Sequence, residues 1–208
     1  SILRPVMYPT LLAGLAENAR QRRGDVWLFD LGKVYWYNPG PPSPRDRLSE
    51  TAGTGRYESW ELGMILAGQA APPYPAEPSR TADVTDLKGI VDGLHEALGV
   101  PLPSYRPEEP ADRHPHRHPG RTGLICDAAG RAYGSIGEVH PAVVEAWGLI
   151  GRPVDASISV DRLLDLVPAE RRVEPIPAAQ PVDRDLAVVG SREADRDRPA
   201  GGRELDRV

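Results

Sequence analysis

The chain has a single cysteine, Cys126, among its 208 residues. No internal disulfide can form, and the composition fits a reducing cytosol. An excess of positive charge is also missing. The formal net charge of -5 leaves no broad basic face to displace counterions, which argues against non-specific nucleic-acid binding. A small RNA contact within a larger assembly remains compatible with that charge. No apolar run approaches the roughly 20 residues that span a bilayer, so no membrane association is expected. The opening, Ser1-Ile2-Leu3-Arg4, has neither an initiator methionine nor the apolar core of a signal peptide, and reads as an internal cut. No repeat of fixed period is present. Hydrophobic residues make up 40%, enough for a real core in one domain or one and a fraction.

Proline, in contrast, is plentiful. Of 23 prolines, 14 fall in the stretches 37–59, 70–82 and 99–120. Proline fixes φ and removes a backbone donor, so these stretches are expected to be loops. Loops this long are functional or lie against a partner. Between them, Pro9 to Arg23 places Leu11, Leu12, Leu15, Ala16 and Ala19 at helical spacing, with basic residues and Gly24 as C-terminal signals. Asp25 to Trp36 is aromatic and β-branched and reads as a strand, with Gly32 as a bulge, and Trp60 to Gly68 reads as a second strand. Thr81 or Asp83 can cap a helix reaching Leu98, with Val84, Leu87, Ile90, Val91, Leu94 and Leu98 on one stripe.

Gly89 and Gly93 sit four apart in that helix, each costing roughly 1 kcal/mol against alanine. Close packing of their face on a sheet or another chain would explain them. Thr122 to Asp127 and Ala132 to Val139 form a hairpin about Ala129-Gly130; a short helix at Pro141–Trp147, a strand at Val154–Val160 and a helix at Asp161–Leu166 follow. The sum is an α+β domain around a largely antiparallel sheet. Val167 to Pro181 holds four prolines and reads as a linker, and Val182 to Val189 reads as one strand. From Ser191 to Val208, five arginines face five acids with no aromatic, a segment too polar to fold alone and expected to be disordered.

Several constellations invite a chemical reading. His114, His116 and His118 alternate in HPHRHP and could hold zinc in an extended chain. The flanking prolines and the lack of a fixed carboxylate favour a solvated loop. Arg121, Glu138 and His140 lie at the outer ends of the hairpin and could cluster as electrophile, acid and base. With no nucleophile nearby, hydrogen-bonded corners holding the hairpin to the next helix are the favoured reading. Asp86 can assist its helix start electrostatically, Lys88 reads as a solvent charge, Arg4 as a surface or partner contact, and Cys126 as core.

Five segments in order resemble a known family. Leu3-Arg4 with Pro9, Leu11, Leu12 and Asn18 is similar to an LRTSLLPGLL helix start, and Leu28-Phe29-Asp30-Leu31-Gly32-Lys33-Val34-Tyr35 to an LFEIGRVF strand. Asp86-Leu87-Lys88-Gly89 resembles FFDLKG. His118-Pro119-Gly120-Arg121 and Ile136-Gly137-Glu138-Val139-His140-Pro141 resemble HPGRSA and IGELHP. Arg184-Asp185-Leu186-Ala187-Val188-Val189 looks like the opening strand of the family's C-terminal domain. On these residues the chain resembles the C-terminal part of the bacterial phenylalanyl-tRNA synthetase beta subunit. Lys33 and Thr10 depart from the pattern mildly, and the tail after Val189 departs strongly.

The resemblance implies a class II synthetase-like, non-catalytic module over residues 1–166. A proline-rich linker (167–181) and the start of a ferredoxin-like anticodon-binding domain (182–208) would follow, with Arg184 and Asp185 on the tRNA side. It implies the alpha subunit and, through the assembly, tRNA-Phe as partners in a cytoplasmic heterotetramer. Arg4, Asp86, Lys88, Gly89, Gly93, Arg121, Glu138 and His140 become interface or structural candidates. No cofactor is expected here; Mg2+ and ATP would serve the whole enzyme. Catalytic residues are expected to be missing. Trp36 stands where a class II site keeps a phosphate-gripping arginine, and Ser157 and Ser159 stand where its glycines belong. Arg162, at the position of the third motif's arginine, reads as a solvated helix residue. Two other readings stay open: a freestanding binding module on the same sheet, and a metal-dependent hydrolase built on the histidine loop.

Overall fold

The computed structural model describes residues 3–38, 55–70, 79–109 and 114–168. The expected strand at 182–189, Arg184, Asp185, the polar tail, the ferredoxin-like start and all but the first two residues of the linker lie outside these.

The described chain begins with helix α1 (Tyr8–Arg20), strands β1 (Val26–Tyr37) and β2 (Arg56–Ala67) and helix α2 (Val84–Leu98). It continues with β3 (Ser104–Pro107), β4 (Arg117–Cys126), β5 (Ala132–Val139), α3 (Pro141–Ala146), β6 (Val154–Ser159) and α4 (Val160–Leu164). The six strands form one sheet in the order β1-β2-β6-β5-β4-β3, with every neighbouring pair antiparallel. The expected α+β class with an antiparallel sheet is what is found.

Alternation along the strands sends successive side chains to opposite faces, and each face carries its own core. On one face α2 packs Leu87 and Val91 against Met64, Leu66, Ile136, Ala156 and Ile158. On the other, α1 packs Leu11, Leu12, Leu15 and Ala16 against Val26, Ile65, Ala67 and Val139. Cys126 is buried in its strand. Truncating a fully buried Leu87 or Leu12 to alanine would cost about 2–5 kcal/mol. Asp83 caps α2 by accepting from Thr85 N–H, while Asp86 closes the box on the Asp83 N–H, and Gly99 ends the helix in the left-handed region.

Four expectations need correction. Helix α1 stops at Arg20 rather than Arg23; the chain turns away at Arg22, which has φ 61°, so Gly24 is not its cap. Gly32 is no bulge, because β1 pairs with β2 in unbroken register through Gly32 and Glu61. A Cβ there would sit 2.0 Å from the Arg4 guanidinium, so the glycine makes room for that side chain. Gly89 and Gly93 do not pack on the sheet: both are exposed, with nothing within 4 Å of an added Cβ. The stretch 99–120 is not all loop, since it supplies β3 and the first residues of β4. Edge pairing with Gly123 and Cys126 lets even Pro107 take part in β3.

Candidate functional site

The densest group of buried charge lies on the α1 face of the sheet. Asp155, on β6, is 2% exposed and faces Arg117 and His116 at the start of β4. Arg117 donates from Nε and Nη2 to the two Asp155 oxygens at 2.9 and 2.8 Å, and His116 Nε2 lies 3.1 Å from Oδ2. Burial pushes the Asp155 pKa up, but the Arg117 charge and the hydrogen bonds from His116 and Arg117 outweigh it and hold the carboxyl well below the usual range. Glycine at 137 leaves room for this arrangement, since a Cβ there would come within 3.1 Å of Arg117 Cδ and 2.8 Å of Arg121 O. The Tyr8 ring stacks flat on His116, centroids 3.7 Å apart. Beside it, His114 Nδ1 bonds the buried Glu108, and Thr122 Oγ1 donates to the same carboxylate at 2.7 Å. Burial and the Arg117 charge hold His114 below its ordinary pKa, against the pull of Glu108.

HPHRHP is therefore not a solvated loop. His116 and Arg117 are core residues, while His114 and His118 are half-buried, His118 accepting from Gly120 N–H. Among the described residues no cluster of histidines, cysteines and acids is arranged to hold a metal.

A cavity of about 300 Å³ opens beside this cluster, lined by Tyr8, Glu61, His116, Arg117, Ser159 and Arg162 among others. Arg162 is half-buried on its wall rather than fully solvated. Among the described residues, three buried side-chain polar atoms have no protein partner: His116 Nδ1, Arg117 Nη1 and Ser159 Oγ.

On the opposite face, Glu138 is gripped by Arg121, with Nη1 to the two oxygens at 2.9 and 3.1 Å, and by Arg152 through Nε at 3.0 Å. Burial pushes Glu138 up, but the two guanidinium groups hold it below its ordinary range. His140 does not join them; its Nδ1 accepts from Ala142 N–H and caps α3. Arg121 and Glu138 thus close the hairpin, and His140 turns the chain into the next helix. Asp86 takes a bidentate pair of hydrogen bonds from Arg80 besides its capping role. Lys88 is not merely a solvent charge, since its Nζ stands 4.6 Å above the Tyr105 ring. Arg4 is half-buried and tied into this chain, donating to Asp30 at 2.6 Å and to Lys33 O at 3.1 Å.

Among the described residues, β1 carries a row of exposed apolar side chains. Trp27, Phe29 and Leu31 point to the α2 face, where α2 reaches only the middle of the sheet; they are 45%, 76% and 53% exposed. Trp60 on β2, paired opposite Lys33, continues the row. The segment VWLFDL has apolar residues on both alternations, more than a strand with one solvated face needs. That was a readable signal. The Asp155 cluster had none, because only tertiary folding brings Tyr8, His116, Arg117 and Asp155 together.

A sequence profile described as the phenylalanyl tRNA synthetase beta chain CLM domain matches residues 1–160. The chain belongs to this family. It is 33% identical over 189 residues to the phenylalanine–tRNA ligase beta subunit of Symbiobacterium thermophilum, covering 91% of this chain and 19% of that protein. The corresponding beta subunit of Geobacillus kaustophilus is 31% identical, with 91% and 21% covered. The chain thus spans about a fifth of the length of these curated relatives. The solved structure of pyrrolysyl-tRNA synthetase from Desulfitobacterium hafniense superposes with a TM-score of 0.53 at 16% identity, covering 77% of this chain and 48% of that one. The sheet is therefore synthetase-like in fold. Within this beta-chain domain, Trp36 stacks on Tyr57 with centroids 5.7 Å apart, and Ser157 and Ser159 occupy β6 on the cavity side. Among the described residues, no helix is long and apolar enough to cross a membrane.

Proposed function

We propose that this chain acts as the non-catalytic core module of a phenylalanine–tRNA ligase beta subunit. It supplies an assembly surface to the alpha subunit, which carries out the ATP- and Mg2+-dependent attachment of phenylalanine to tRNA-Phe. The observation that carries the reading is the apolar row Trp27, Phe29 and Leu31 on β1, extended by Trp60. Leaving such a contiguous patch in water is costly, and its burial against a partner yields about 25 cal/mol per Å² before the costs of association.

The chemistry of the site supports the same reading. A catalytic class II site needs a cation to neutralise triphosphate, and Trp36 offers an indole already stacked on Tyr57. The serines at 157 and 159 carry side chains where close backbone approach to a nucleotide requires none. Cytoplasmic location and a tRNA contact through the whole assembly follow from the proposed role.

The test is to mix the chain with purified alpha subunit and follow association by sedimentation velocity. A complex is expected, and Phe29→Glu should weaken it at least tenfold without changing the circular dichroism of the chain. Unaltered association of the Phe29→Glu variant would remove β1 from the interface.

A further inference from the structure

We propose that β1 accepts an extended strand of the alpha subunit along its outer edge, so that the sheet itself continues across the interface. The proposal rests on the assembly role given above and specifies how the contact is made. β1 is the first strand of the sheet and, among the described residues, pairs only with β2. In an antiparallel ladder the N–H and C=O of one residue point to the same side, and the side alternates along the strand. Tyr35 N–H donates to Arg4 O at 2.8 Å, and Lys33 O accepts from Arg4 Nε at 3.1 Å. Lys33 and Tyr35 therefore face away from β2, and the unbroken register gives Trp27, Phe29 and Leu31 the same orientation. Arg4 closes the edge at 33–35. Among the described residues, no backbone partner meets the outward groups of Trp27, Phe29 and Leu31.

The open stretch of edge coincides with the bare apolar row, since the same three residues hold their side chains out on the α2 face. Edge strands are ordinarily kept from pairing by proline, charge, a bulge or shortness. β1 runs for 12 residues without a proline or a bulge, and Asp30, the one charge between Trp27 and Leu31, is tied to Arg4 on the other face. This edge chemistry defines the occupant. Outward pairs recur roughly every 6.8 Å, a spacing that an extended chain of about five residues matches. Main-chain hydrogen bonds then give affinity, and alternate side chains give specificity. Those beside Trp27, Phe29 and Leu31 are apolar, because that row offers no charge to meet. A second copy of this chain fits less well: two β1 edges paired antiparallel about Phe29 set Leu28 against Asp30.

The test mixes the 208-residue chain with purified alpha subunit and follows amide hydrogen exchange residue by residue. In the free chain the Leu28 and Asp30 amides, which face β2, should be protected, while those of Trp27, Phe29 and Leu31 exchange freely. Complex formation should slow the three outward amides by about a hundredfold and leave the inward ones unchanged. Docking through side chains alone does not produce that alternation. Phe29→Pro removes an outward N–H and leaves the β2 ladder whole, and protection at Leu28 and Asp30 reports that the variant is folded. It should bind alpha subunit about tenfold more weakly than Phe29→Ala, which loses the ring but keeps the N–H. Fast exchange of the three outward amides in a complex that does form, or equal affinities of the two variants, would overturn strand addition and leave the assembly role standing. Absence of any complex would overturn both. Concentration-dependent protection of the outward amides in the chain alone would replace the alpha subunit by a second copy and overturn the proposal.

Discussion

Replacing Asp155 by asparagine tests the physical centre of the fold. The carboxamide keeps the volume of the carboxylate but removes its charge, leaving the Arg117 guanidinium 3% exposed with its anionic partner gone. Arg117 gives Asp155 two hydrogen bonds and His116 a third contact. The loss therefore belongs with broken buried pairs, at about 3–5 kcal/mol, and not with exposed pairs at about 0–1 kcal/mol. For a chain of this size that lowers the melting temperature by roughly 10 °C. Urea unfolding followed by the fluorescence of Trp27, Trp36, Trp60 and Trp147 measures it, and the midpoint should fall with an unchanged slope. The double variant Asp155→Leu with Arg117→Met should recover most of the loss, because apolar residues of similar volume replace a buried pair at little cost. A deficit below about 1 kcal/mol for Asp155→Asn would refute the claim that this pair holds the sheet.

Asp155, Glu138, Asp127 and Asp86 are all held below their ordinary pKa in the folded chain. Their contribution is therefore fully present above the unfolded carboxylate range, near pH 4, and is lost as pH falls through the folded values. Urea midpoints should decline gently as pH falls below about 6.5, where the depressed His114 pKa lowers stability, and drop more steeply below about pH 4, with a shallower acid drop for Asp155→Asn. Gly32→Ala places a Cβ 2.0 Å from the Arg4 guanidinium and should displace it from Asp30; because that pair is about one-third exposed, the unfolding assay should show a loss of at most about 1 kcal/mol. Gly89→Ala meets nothing within 4 Å and should stabilise the isolated chain by roughly 1 kcal/mol; destabilisation would mean that the glycine is needed within the chain itself.

The parts of the fold that were readable are those where local pattern and burial agree. The stripe Leu87, Val91, Leu94 and the cap at Asp83 locate α2, and the turn after Asp127 locates the hairpin. The parts that misled are those where tertiary contacts override local chemistry. Pro115 and Pro119 flank a segment that proline content marks as loop, yet His116 and Arg117 are drawn inward by Asp155, 38 or 39 residues further along the chain. Gly32 suggests a bulge locally, but its reason lies in Arg4, 28 residues earlier in the sequence. Gly89 and Gly93 look like packing glycines, while the face they occupy meets only open space. For the site, Arg121 and Glu138 could be paired from their hairpin positions, but Arg152 as the second grip on Glu138 depends on how β6 enters the sheet.

Phenylalanine-dependent exchange of pyrophosphate into ATP, measured on the purified chain without an alpha subunit, bears most directly on the role assigned here. On the proposed non-catalytic role, exchange should stay at the no-enzyme level and rise only when alpha subunit is added. Exchange by the chain alone, saturating in phenylalanine and lost when Arg162 is replaced by alanine, would contradict the account.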